Sequence, residues 1–145
     1  MLRAALIAGI LLIAACDIAP TEETTMRIEK RDGLGVPVPA GRVVTTREGH
    51  LLLARSPTVR SVDDVTLWTL PPPPLPDGNR TESTQPAPHT IVTIEGGMGG
   101  PEYTLSIPKR IGGRDIVVRA YIQSEAGIPA FTDAWSVWKA LDTAE

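Results

Sequence analysis

The chain has 145 residues, with 14 Lys and Arg against 17 Asp and Glu, a formal net charge of −3 and one cysteine. That weak acidity argues against nucleic acid as a partner, because phosphate binding needs a basic patch. A lone thiol rules out an internal disulfide. One domain is the natural expectation at this length. Its aromatic supply is thin: Phe131, Tyr103, Tyr121, Trp68, Trp135 and Trp138.

Arg3 is the only charge before Asp17, and residues 4–15 are apolar apart from Gly9. As a helix that run would be about 18 Å long, against roughly 30 Å of hydrocarbon in a bilayer. A short positive start, a short apolar run and small residues at its end mark a secretory signal over residues 1–15. The residues Ile13-Ala14-Ala15-Cys16 resemble the lipobox of bacterial lipoproteins. That resemblance implies cleavage before Cys16, a diacylglycerol thioether on its sulfur and acylation, of the palmitate kind, on the new amino group. Two or more chains make a stable anchor, since each buried methylene contributes about 0.8 kcal/mol. The covalent lipid on Cys16 is then the only non-protein group expected, with no other cofactor and no metal. Asp17 is similar to the inner-membrane retention signal of enterobacterial lipoproteins. It favours the periplasmic face of the inner membrane, with the outer membrane as the alternative.

Residues 16–25 form a lipidated start and a solvated tether; "IAPTEETT" has no apolar period. Residues 26–145 then read as a single β domain. "MRIEK" alternates apolar and charged residues. "GVPVPAG" is extended or turning, since two prolines cannot donate ladder hydrogen bonds. "RVVTTR" and "HLLLAR" flank "EG" as a hairpin, and "DVTLWTL" is a further strand. A proline-rich loop over 71–88 follows, where Pro71–Pro74 favours polyproline II. "TIVTIE" and "EYTLSI" are strands separated by the glycine turn "GGMGGP". In "RDIVVRAYIQS", Ile116, Val118, Ala120 and Ile122 share one face, the period of a half-buried strand. "FTDAWSVWKAL" fits a short helix with Trp135, Trp138 and Leu141 on one stripe. It also fits a closing strand, and the overall pattern prefers the strand.

Short strands and frequent turns indicate an antiparallel all-β sandwich of the immunoglobulin type. "VTLWTLPPPPLPDG" resembles the second strand and following loop of fibronectin type III domains. "YTLSIPKRIGGRDIVVRAYIQSEAGIPAFTDAWSVW" is similar to that family's last three strands. The resemblance covers about half the chain and implies that family's sandwich. The tyrosine expected at the corner before "VRA" is absent, and Asp115 and Ile116 stand in its place.

No motif for catalysis stands out. His50 and His89 lie 39 residues apart without a cysteine or a close carboxylate spacing, so surface histidines are the better reading than a metal site. Asp63 and Asp64 read as a solvated turn. "EGGMGGPE" lacks GK[ST] and opens no helix, so it reads as a turn rather than a phosphate cradle. Two features fit binding: the Pro71, Pro72, Pro73, Pro74 run, suited to an aromatic groove but read first as a stiff connector, and the pair Trp135 and Trp138, suited to a partner or a sugar ring, although with so few aromatics the burial of at least one is the better reading.

The sequence therefore predicts a lipid-anchored, non-catalytic module that binds an envelope protein, with edge strands open to a partner strand. The alternative is a small-ligand or glycan binder using exposed, coplanar Trp135 and Trp138. A hydrolase built on His50 or His89 ranks third.

Overall fold

The computed structural model describes residues 26–55 and 63–144. The signal segment 1–15, Cys16, Asp17 and the tether lie outside the described residues. The rest is two antiparallel sheets and one short helix sharing a hydrophobic core, the all-β class expected.

The smaller sheet has three strands. β1 (Arg27–Arg31) and β2 (Leu34–Val38) form a hairpin, and β10 (Asp142–Thr143) pairs with the start of β2. All five β2 residues are buried. "GVPVPAG" was an ambiguous segment because of its prolines, yet Pro37 lies beyond the stretch that β10 covers. Among the described residues, that part of β2 has a neighbour on one side only, where proline is tolerated.

The larger sheet contains β3 (Val43–Arg47), β4 (His50–Ala54), β5 (Val65–Trp68), β6 (Asn79–Ser83), β7 (His89–Ile94), β8 (Glu102–Ile111) and β9 (Arg114–Gln123). Their order is β3-β4-β5-β9-β8-β7-β6. Side chains alternate with the pleat. The inner face carries Leu51, Leu53, Val65, Leu67, Leu105, Ile107, Ile116 and Val118, all at most 1 % exposed. They meet Leu34, Val36 and Val38 of β2, and Phe131, Ala134, Val137 and Leu141 at the helix. Each such side chain contributes roughly 1.5–3 kcal/mol through burial.

β5 and β6 lie far apart in the sheet, so the chain between them must travel across it. It does so over the outer face. Arg119 on β9 donates through Nη1 to the Pro73 carbonyl, and burial lowers this guanidinium from its ordinary value. At the end of the crossing, a Cβ on Gly78 would lie 2.6 Å from the Thr93 carbonyl and 2.9 Å from Val92 Cγ1. Val92, on the outer face by register with Thr104 and Arg80, is fully buried. The segment expected as one loop over 71–88 is thus a proline strap followed by the strand β6. β6 escaped notice because "NRTES" has no apolar alternation.

α1 (Thr132–Ala140) replaces the closing strand implied by the fibronectin type III resemblance. Phe131 is buried and holds a left-handed conformation at the helix start, φ 51°. Its carbonyl accepts from Trp135 N at 3.0 Å. At the other end Lys109 Nζ donates to the carbonyls of Trp138 and Leu141, the latter at 2.8 Å. This satisfies acceptors that the helix itself leaves open. Desolvation lowers the Lys109 ammonium from its ordinary value, with a smaller opposing effect of Asp142. A strand cannot offer clustered carbonyls to one ammonium in this way.

Candidate functional site

Trp135 and Trp138, a candidate binding surface with burial of at least one preferred, are both half-buried against the core. Trp135 and Trp138 stand at 78° with centroids 5.7 Å apart, far from coplanar. Trp138 Nε1 donates to the Pro108 carbonyl at 3.1 Å, and Lys109 Nζ sits 5.0 Å above its ring. Trp135 meets the edge of His89 at 4.9 Å. Both rings thus have partners within the protein, and they do not present the coplanar pair of faces that the glycan alternative requires. Pro71–Pro74 lie on the sheet's outer face, with Pro73 held by Arg119.

The histidines are separated. His50 stacks on Trp68 at 4.2 Å. His89 pairs in register with Ser83, but its Nδ1 contacts the Ala87 carbonyl at 2.7 Å rather than a carboxylate. That arrangement lacks the orienting acid of a nucleophilic triad. Among the described residues no group of three His, Cys, Asp or Glu is placed to hold a metal ion.

A different surface combines the features of a binding site. β7 and β8 are joined by "EGGMGGP", and β9 leads into α1 through residues 124–131. Gln123 Nε2 donates to the carbonyls of Met98 and Gly100, at 3.0 and 3.1 Å, and Ser124 N donates to Pro101 O at 3.1 Å. The two loops are therefore one tip. Gly100 has φ +88°, and a Cβ there would lie 2.7 Å from the Ser124 carbonyl. Only glycine permits that approach. With a glycine pair on both sides, Met98 is the one side chain between Gly96 and Gly100, and it is 98 % exposed. Ile128 on the neighbouring loop is 59 % exposed. Met98 is the most exposed large apolar side chain among the described residues, and its fixed frame makes the tip the candidate contact surface. An unbranched thioether adapts well to a partner's contour.

The surroundings are acidic. Glu95 and Glu125 are exposed and Glu102 is half-buried. No Lys or Arg occurs in residues 95–107 or 120–138. The tip thus offers an apolar centre with a negative surround, which suits a protein surface of opposite charge.

Behind the tip lies an ion-pair cluster. The Arg42 side chain is only 2 % exposed. It donates to Asp133 Oδ2 at 2.8 Å, Asp63 Oδ2 at 3.3 Å and the Leu53 carbonyl at 3.2 Å. Arg55 shares Asp63 at 3.0 Å, and the hydrogen bond and charge of Asp63 raise that guanidinium above its ordinary value. Arg42 thereby ties β3 and β4 to the first turn of α1, which anchors the second tip loop. Beside it is a cleft of about 210 Å³ with Val65, Ala120, Ile122 and Phe131 among its lining. Asp63, expected as a solvated turn residue, is instead a shared acceptor for two arginines.

Sequence reasoning did not select Met98, Ile128 or Arg42. The only local signal for Met98 was a single apolar residue set between two glycine pairs. Nothing near Arg42 announces partners 21 and 91 positions away.

The framework and both tip loops can be set beside known proteins. Over 138 residues the chain is 29 % identical to the immune protein Tsi3 of Pseudomonas aeruginosa strain PAO1, covering 94 % of this chain and 95 % of that protein. Residues 35–142, which include both tip loops and nearly the whole described framework, match the Tsi3 family, described as the type six secretion immunity 3 domain. The chain belongs to the Tsi3 family of type six secretion immunity domains.

Proposed function

We propose that the chain is a non-catalytic immunity protein that binds a toxin of type six secretion and holds it inactive, with the Met98–Ile128 tip as the principal contact. The reading rests on one observation above all: the family match runs from β2 to β10 and takes in both loops of the tip. The acidic surround would speed encounter with a basic toxin surface, and the apolar centre would then slow release.

We further propose that Cys16 carries the lipid anchor on the periplasmic side of a membrane, the inner one being favoured by Asp17. A tethered inhibitor would then meet an incoming toxin before it reaches its target. Fatty-acid labelling of the native chain should be lost in Cys16→Ser; equal labelling of both would remove the anchor.

The binding test screens the type six secretion toxins of the source organism for a cognate one. The full chain should bind it and protect cells producing it. Met98→Gly with Ile128→Ser should reduce affinity by about tenfold or more while leaving the unfolding midpoint unchanged, as expected of exposed hot-spot side chains. If the native chain neither binds nor protects, the immunity reading fails. If it protects and the double variant protects equally, the tip is the wrong surface.

A further inference from the structure

We propose that β6 is a self-pairing edge through which two copies of this chain join into one continuous antiparallel sheet. Among the described residues β6 is the last strand of the large sheet, and all five of its residues are exposed. Charged edge strands usually discourage pairing. Here the charges are arranged so that a second copy neutralises them.

Consider two copies related by a two-fold axis through Thr81. Antiparallel pairing then sets Arg80 opposite Glu82 of the second copy, and Glu82 opposite its Arg80. Asn79 faces Ser83, and Thr81 faces Thr81. The register with β7, Arg80 opposite Val92 and Glu82 opposite Thr90, puts both charges on the same face. Opposite charges directly across a strand pair are favourable, and like charges are unfavourable. Moving the axis to Arg80 would face arginine with arginine, and moving it to Glu82 would face glutamate with glutamate. The sequence therefore selects one register. The pairing is isologous and closes after two copies.

The other five-residue edge strands, β3 and β1, do not share this property. Folding β3 about Thr45 faces Val43 with Arg47, without a charge pair. Folding β1 about Glu29 faces Arg27 with Arg31 and glutamate with itself. Pro76 and Pro86 on either side of β6 confine pairing to a short stretch, since proline cannot donate to a ladder. The dimer is accordingly weak and dependent on concentration. The tip loops lie outside β6, so each pair would carry two of them.

Sedimentation velocity of the full chain in detergent tests the inference. The native chain should pass from monomer to dimer as concentration rises. Arg80→Glu makes the strand wholly negative and Glu82→Arg makes it wholly positive. Each alone should weaken dimerisation by about tenfold or more, and an equimolar mixture of the two should regain a dimer. The doubly exchanged chain, Arg80→Glu with Glu82→Arg, should dimerise like the native one. In a Cys16→Ser background, Thr81→Cys should form a symmetric intermolecular disulfide. A native chain that stays monomeric throughout overturns the proposal, as does a dimer indifferent to either single variant. A mixture that fails to pair, although both components keep the native circular dichroism, overturns it equally. A misfolded variant cannot imitate the regained heterodimer.

Discussion

Two segments of this chain leave regular structure through residues that break it, and they come to opposite ends. The strap over residues 71–78 is rich in proline, lies along the outer face and is pinned by Arg119 above a buried Val92. The turn over residues 95–101 is rich in glycine, rises from the sheet and carries Met98 into solvent. Proline stiffens the chain, and Pro72, Leu75 and Pro76 of the strap are half-buried while Pro71, Pro73 and Pro74 stay exposed. Glycine removes side chains, so the frame can tighten and the one that remains is displayed. Low regularity in sequence can thus signify a cover or a probe, and what distinguishes them is the side-chain mass left behind.

Four substitutions sharpen or break that contrast. Arg42→Met should have the largest effect. It withdraws the cation shared by Asp63 and Asp133 from behind the tip, at a cost of about 3 kcal/mol in urea unfolding. The strap should keep its native protease resistance; if it is cut as readily as residues 124–131, the two regions are not independent. Gly100→Ala comes next, at about 2 kcal/mol, because positive φ and the Ser124 carbonyl both oppose a Cβ. A stability equal to native would mean that the tip frame is loose.

Arg119→Ala should cost about 1.5 kcal/mol, the worth of a hydrogen bond from a charged group. Proteolysis between Leu70 and Gly78 should then accelerate, and an unchanged cleavage rate would show that the prolines hold the strap unaided. Met98→Gly should be smallest, within about 0.5 kcal/mol of native by the same unfolding assay. A larger loss would make Met98 a packing residue and erase the distinction between cover and probe.

Much of the framework could be read in advance. The alternation in residues 114–123 named the inner face of β9, and the turn residues placed the hairpin of β3 with β4. What escaped depended on distant parts of the chain. β6 is polar on both faces and is a strand because β7 offers it a ladder. α1 was ambiguous because its tryptophan spacing suits a helix, whereas the fibronectin type III resemblance implied a strand. Lys109, on β8, contributes to that choice from 29 residues away. The tip was legible only as a glycine turn. Its meaning depends on Gln123 joining it to a second loop, and hydrogen bonds between loops leave no trace in local periodicity.

The pairing of β10 with β2 has a consequence for how the molecule is made. Leu34 and Gly35 find Asp142 and Thr143 only after nearly all the intervening chain has left the ribosome. Until then the start of a strand of apolar residues has one flank bare, a state that chaperones are suited to grasp. Clipping those last residues should therefore harm yield in the cell more than it harms the finished protein.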